Sequence, residues 1–546
     1  MPKDRNTGTS LITRRGFIKK AGLLAAGSAF GSSLIGCNSG FVIPCLGPAP
    51  PPVPVPGMTY IRASEIGCAL NCDLRNGRNK YSGGAATDDG PLINAAMAGA
   101  TADHPITLII DGSALISGLF LPAGGYWSIA GLGCGTGFFI KSGANNDGIH
   151  NGPPNAAIPS DPGPPAPSRG KSVSLSNFTV NGNQGNGSDG DSTSGSKLGS
   201  KVAYYFGINL MNLENINLEK VVLVRTSAYH IRLSNVGTVS VSGCVMHGNG
   251  LGTDGVHVDG PANDITISNC DFMTGDDSIA LNCPEGYSGN ISRVAVTNCR
   301  FNSWSLMRLY TTNGSLNKFR IDTVSVSNCN GTLQEAAFLI GLSDGSLPNS
   351  IDSLTISDCS LTAPTILGVA ENFGTIALRN VTFIPSQSRA VWISPQATDI
   401  CGFLRPSPLY GGVTYVGSTL SFENCKISKD DHTQLPALIL ENGSRIDILL
   451  FNGFGVQDAV WMPEMLSIGW GSIGHLVLQS LNSKAIVAPV SAGGFSSIGS
   501  VSGAGVLATG WEFPDAVMAD GVPYISASTG LPSIKINGVV QAYPQT

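Results

Sequence analysis

The stretch ISRVAVTNCRFNSWSLMRLYTTNGSLNKFRIDTVSVSNC (291–329) ends on the pattern it opens with: VAVTNC (294–299) returns as VSVSNC (324–329), 30 residues later. Working outward, the unit recurs as VSVSGC ending at Cys244, ITISNC at Cys270, LTISDC at Cys359 and LSFENC at Cys425. A degenerate copy, IALRNV, occupies 376–381. The first five cysteines follow one another at 26, 29, 30 and 30 residues. A period of this size, carried by alternating Val, Ile and Leu, marks a solenoid whose coils bury their apolar faces only by stacking. The sequence therefore predicts an all-β, right-handed parallel β-helix over about 105–430, with a short N-terminal helical cap and a possible C-terminal β cap. Alternation turns the Val side chains inward and the Ser side chains outward. Stacked rungs lie about 4.8 Å apart, so the residues before each Cys (Asn269, Asn298, Asn328, Asp358, Asn424) should form a ladder at a turn.

Composition agrees with this reading. The 546 residues include 70 glycines, and only 12% are charged. A net charge of −6 argues against a nucleic-acid partner, since duplex binders need a clustered basic face. The chain divides into 1–40, 41–57, 58–434 and 435–546. In the first part, TRRGFIKK (13–20) resembles a twin-arginine export signal, followed by an apolar run (21–35) too short and too rich in small residues for a membrane span. LIGC (34–37) resembles a lipobox, which implies a lipid on Cys37. The Pro-rich segment 41–57 reads as a stiff spacer, 58–434 as the β-helix domain, and 435–546 as worn coils or a cap. The expected location is periplasmic, outer-membrane-anchored or extracellular. The only membrane contact expected is that lipid anchor, and the expected oligomeric state is a monomer.

Thirteen cysteines in an exported chain suggest disulfides. Side chains in one repeat column run parallel rather than converging, so the column is read as small apolar filling. Cys68 and Cys72, outside it, are the expected disulfide formers. Asp88 and Asp89 precede a helical pattern and are read as helix N-terminal caps.

The chemistry gathers in 252–283. Asp254 in GTDGVHVDG (252–260) lies 22 residues before Asp276 in TGDDSIAL (274–281). One short coil separates them, so Asp254, Asp276 and Asp277 should converge on one exposed cleft. Carboxylates that close cannot all ionise readily, which supplies an acid and a base. An inverting glycosidase holds its two carboxyls roughly 6.5–9.5 Å apart, with a water between. His257 alternates with Val256 and Val258 and should face outward beside the site, as a candidate for sugar hydroxyls. Trp304 and Tyr310 are candidates to stack on sugar rings. If Met307 and Leu309 point inward, Arg308 points into the cleft. His230 and His247 are weaker candidates. No metal ligand set and no cofactor is expected.

These motifs resemble the polygalacturonase family of glycoside hydrolases, within the pectate-lyase-like β-helix superfamily. The likeness spans roughly 170–330. Thr253, Asp254 and Gly255 match the family's Asn-Thr-Asp-Gly, with Gly252 in place of Asn; Gly275, Asp276 and Asp277 match its Gly-Asp-Asp. The resemblance implies Asp276 as general acid, with Asp254 and Asp277 holding the attacking water. Two family motifs are missing: a Gly-His-Gly, whose His position falls near Trp304 or Ser305, and an Arg-x-Lys, near 336–342. The function expected is an exported hydrolase of a pectin-like or other acidic polysaccharide, acting with inversion. A polysaccharide lyase and a non-catalytic adhesin or tailspike-like glycan binder are the alternatives on the same fold.

Overall fold

The computed structural model describes residues 43–45, 47–144, 146–152, 165–184, 205–249, 252–311, 319–341, 350–385, 391–393, 415–427, 438–441, 444–456, 462–469, 471–480, 486–493, 497–503, 506 and 512–544. The export signal and Cys37 lie outside the described residues. Strands from Thr59–Arg62 to Ser497–Ser502 pair in parallel into one continuous ladder. The protein is a right-handed parallel β-helix, as the repeat predicts.

Register explains the repeat. Val241, Ile267, Val296, Val326 and Ile356 stand rung upon rung, as do Ser242, Ser268, Thr297, Ser327 and Ser357. The apolar set is buried inside the coil. Each buried Val or Ile contributes up to about 1.5–3 kcal/mol, which is how short strands with few charges hold together. Phe272 stacks on Phe301 in the same interior, centroids 5.1 Å apart.

The residue before each cysteine makes the turn. Asn269, Asn298, Asn328, Asp358 and Asn424, and Asn380 before Val381 in the degenerate copy, all have φ between 51° and 55°, the left-handed region that Asn and Asp tolerate best among non-glycine residues. Part of the expected ladder forms there: the Asn380 amide donates to Asp358 Oδ1 at 2.9 Å, and the Asn424 amide to Asn380 Oδ1 at 3.4 Å. The cysteines that follow are buried and unbridged. Their thiols donate to the carbonyl two residues back, at 3.2 Å for Cys270, 3.3 Å for Cys299 and 3.2 Å for Cys329. A small side chain with a weak donor fits that position.

Three expectations are corrected. Cys68 and Cys72 are free, and the disulfide joins Cys45 to Cys134. Cys68 belongs to the main core, whereas Cys72 packs in a separate cluster with Leu74, Leu115 and Phe139, so the two thiols serve different faces. The Pro-rich segment is not a free spacer over its described length: besides the disulfide, Ala49 N–H donates to Leu132 O at 3.0 Å. Of the two aspartates before helix Gly90–Met97, only Asp88 serves the helix end, accepting from Gly90 N–H at 3.1 Å. Asp89 is buried and takes the N–H groups of Ala69 and Leu70 at 2.7 and 3.0 Å, pinning the preceding loop.

Beyond 435 the parallel ladder continues through Arg445–Asn452, Ser472–Gln479 and Ser497–Ser502. A separate four-stranded sheet then runs from Glu512–Phe513 to Val539–Ala542. Worn coils and a small terminal sheet thus both occur. Among the described residues, no helix is long and apolar enough to cross a membrane.

Candidate active site

Strand Val256–Ser268 lies between Ile231–Ser242 and Asp277–Asn282, and the latter lies beside Arg300–Tyr310. The two aspartate motifs sit where these strands begin. Val256 pairs with Ile279, and Gly255 N–H donates to Asp277 O at 3.0 Å, so Asp254 and Asp277 fall on adjacent rungs. Gly255 is required there: a Cβ would collide with Ser278 O and come within 2.6 Å of the Phe272 ring. Gly275 N–H donates to Thr253 Oγ1 at 3.1 Å, which ties the second motif to the first.

One oxygen each of Asp254, Asp276 and Asp277 lies within 4.8 Å of the others. The expected convergence is present, but the exposed cleft is corrected. Asp254 and Asp277 are buried, and Asp276 alone is partly exposed. The Ser305 hydroxyl donates to Asp277 Oδ1 at 2.5 Å from the next rung.

His257 also departs from expectation. It faces away from the coil interior but is fully buried. Its Nδ1 lies 2.6 Å from Asp254 Oδ2, and its Nε2 lies 3.0 Å from both Asp259 Oδ1 and Glu285 Oε2. Burial opposes its charge, yet hydrogen bonds to Asp254, Asp259 and Glu285 prevail and hold its pKa well above the ordinary histidine value. Both ring nitrogens then donate. The Tyr229 ring covers the imidazole at 3.9 Å and 5° between planes, and Phe206 stacks on Tyr229. Buried Arg232 donates to Asp259 Oδ2 through Nε and Nη2, each at 2.8 Å. His257 is therefore a support for Asp254, held too deep to meet a sugar hydroxyl directly.

Trp304, Arg308 and Tyr310 are half-buried on strand Arg300–Tyr310. Met307 and Leu309 point into the core, as the alternation requires, which turns Arg308 outward. Arg308 is in register with Ala280, which is in register with His257, and its guanidinium lies 5.7 Å from the Tyr310 ring centre. His230 is buried behind the site, its Nδ1 2.9 Å from Asp254 O, and desolvation lowers its pKa to about 4. His247 pairs with Asp271 at 3.3 Å instead.

Sequence reasoning missed Arg232, Asp259 and Glu285, and gave Ser305 only as a neighbour of the missing histidine position. Asp259 lies inside the quoted motif, two residues from His257. The others come from neighbouring coils, and only the register brings them in. The donor atoms of His257, Asp259 and Glu285 lie within 4.8 Å of one another, a spacing a cation could span. The oxygens of Asp254, Asp276 and Asp277 meet the same spacing.

No family model matches the chain, and no curated relative matches it. Solved structures do. A Family 28 exopolygalacturonase of Yersinia enterocolitica superposes with a TM-score of 0.51 at 10% identity, covering 78% of each chain. The surface adhesin PfbA of Streptococcus pneumoniae superposes with a TM-score of 0.50 at 12% identity, covering 88% of this chain and 99% of that one. At such identity the likeness is one of fold: the chain has a polygalacturonase-like right-handed parallel β-helix.

Proposed function

We propose that this chain is an exported hydrolase of glycosidic bonds in a polysaccharide, with Asp254, Asp276 and Asp277 as its acid/base group. The observation that carries the reading is the stacking of Asp254 and Asp277 on adjacent rungs, with Asp276, the partly exposed one, beside them. Asp276 protonates the leaving oxygen; Asp254 and Asp277 draw a proton from the attacking water. The oxygens lie closer than the roughly 6.5–9.5 Å usual for inversion. Inversion is what the polygalacturonase resemblance implies, so the first product proposed is the inverted anomer. Half-buried Arg308 supplies the cation that an acidic sugar would need, and Trp304 and Tyr310 supply ring faces. Export through 1–40, with a lipid on Cys37, belongs to the same proposal. A panel of neutral and acidic polysaccharides with product analysis tests it: saturated products of inverted configuration, insensitive to chelation, are expected. Unsaturated products would indicate a lyase.

The burial of Asp254 and Asp277 favours a second reading, in which the polar network is structural and the β-helix binds glycans without cutting them. Tight glycan binding with no cleavage across the panel would establish it.

A further inference from the structure

We propose that Tyr229 is a positioning residue of the Asp254–Asp276–Asp277 site: its ring holds the His257 imidazole flat, so that Nδ1 keeps Asp254 Oδ2 aimed at the attacking water. The proposal rests on the hydrolase reading above.

Phe206, Ala228 and Tyr229 are buried, yet they form an apolar cluster separate from the main core of the coil. Tyr229 packs instead on a buried polar ring. It lies parallel to His257, with centroids 3.9 Å apart and 5° between planes. Phe206 stacks on Tyr229 at 5.2 Å and 20°, and the Arg232 guanidinium lies 5.4 Å from the Phe206 ring centre. Arg232 donates to Asp259 Oδ2 at 2.8 Å, and Asp259 Oδ1 lies 3.0 Å from His257 Nε2. The contacts close on themselves: His257, Tyr229, Phe206, Arg232, Asp259 and back to His257. The backbone of this segment is tied to the rungs on both sides. Tyr229 O accepts from Gly207 N–H at 3.1 Å, and the next residue, His230, donates its N–H to Asp254 O at 2.8 Å.

This geometry gives the tyrosine ring a task. His257 Nδ1 faces Asp254 Oδ2 at 2.6 Å, and Nε2 faces Asp259 Oδ1 and Glu285 Oε2 at 3.0 Å. Carboxylate oxygens accept, so both nitrogens donate and the ring is a cation. These bonds fix where the nitrogens point, but the last torsion of histidine is broad, and bonds at the ring edge resist tilting of its plane only weakly. A parallel aromatic face resists the tilt directly, and it attracts a cation most where water is excluded. Without that face the imidazole tilts, the contact to Asp254 lengthens, and the carboxylate turns away from the water. Catalysis is sensitive to such shifts: a misplacement of about 1 Å can cost about a hundredfold in rate.

The test uses the full chain. Tyr229→Phe keeps the ring face. Tyr229→Leu and Tyr229→Met fill the space without one, and either serves if the other fails to fold. On the polysaccharide that the wild type cleaves, Tyr229→Phe should stay within about threefold of wild-type turnover. The Leu and Met variants should lose about tenfold or more in kcat, with KM within about threefold. A lowered melting temperature with kcat kept is what a packing role gives, and it would overturn the proposal; so would an equal loss in Tyr229→Phe. Independently, NMR of the His257 ring should show a far-downfield Nδ1–H signal in the wild type and in Tyr229→Phe, lost to exchange in the Leu and Met variants. Persistence of the signal in those variants, or its absence from the wild type, overturns the proposal. Should the wild type cleave no glycan, the hydrolase reading falls, and the signal alone decides whether Tyr229 holds the imidazole.

Discussion

Nδ1 of His257 stands 2.6 Å from Oδ2 of Asp254, and both side chains are fully buried. The pair anchors a larger arrangement in which three carboxylates share one imidazolium and Asp259 also takes Arg232. Removing the cation leaves buried charge uncompensated. His257→Gln should therefore lower stability by about 3–5 kcal/mol, read from denaturant melts. A loss below about 1 kcal/mol would show that the network relaxes or hydrates freely.

The same histidine sets a pH dependence. Its folded pKa is raised, so its stabilisation is complete below the unfolded value of about 6.5 and fades as pH climbs through the folded one. Wild-type stability should fall on the alkaline side, as pH rises from about 6.5 through the raised folded value, and His257→Gln should flatten that slope. Parallel curves for the two proteins would contradict this.

Gly255 probes the approach of the two motifs. Ser278 O occupies the space that a Cβ at this position would need, so Gly255→Ala must push backbone apart. A cost of about 1–3 kcal/mol is expected, together with an activity loss, because Asp254 is the adjacent residue. Unchanged melting and turnover would place the aspartates on a looser frame than described.

The cysteines give a chemical test. The nine free cysteines of the described residues are all buried. Thiol reagents should label them only as the chain unfolds. The Cys45–Cys134 bridge closes a span of 89 residues. Replacing both by Ser should cost about 2–4 kcal/mol. Rapid labelling of Cys244, Cys270, Cys299, Cys329 or Cys359 in the native protein would contradict the stacked column.

Most of the fold was legible because one coil resembles the next. Val, Ser, Asn and Cys recur at fixed positions, and each position has one physical job: inward packing, outward polarity, a left-handed turn, a small filler. Asp254, Asp276 and Asp277 were legible for the same reason, lying one coil apart. The support was not. Arg232 and Glu285 come to the His257 network from different coils, which no local pattern announces. Cys45 was hidden because a Pro-rich segment reads as a spacer until its disulfide partner, Cys134, is known.

Arg308 separates acidic from neutral substrates. If the glycan carries carboxylates, Arg308→Ala should raise KM about tenfold or more and leave kcat nearly intact, since it removes binding common to ground and transition states. No change on the true substrate would indicate a neutral sugar.

The central claim is that Asp276 donates the proton that breaks the glycosidic bond. The most direct measurement is the turnover of Asp276→Asn, folded as judged by circular dichroism, on whichever polysaccharide the wild type cleaves. Loss of about a hundredfold or more in kcat, with binding retained, is the result expected of a missing general acid. Near-normal turnover by that variant would contradict the account.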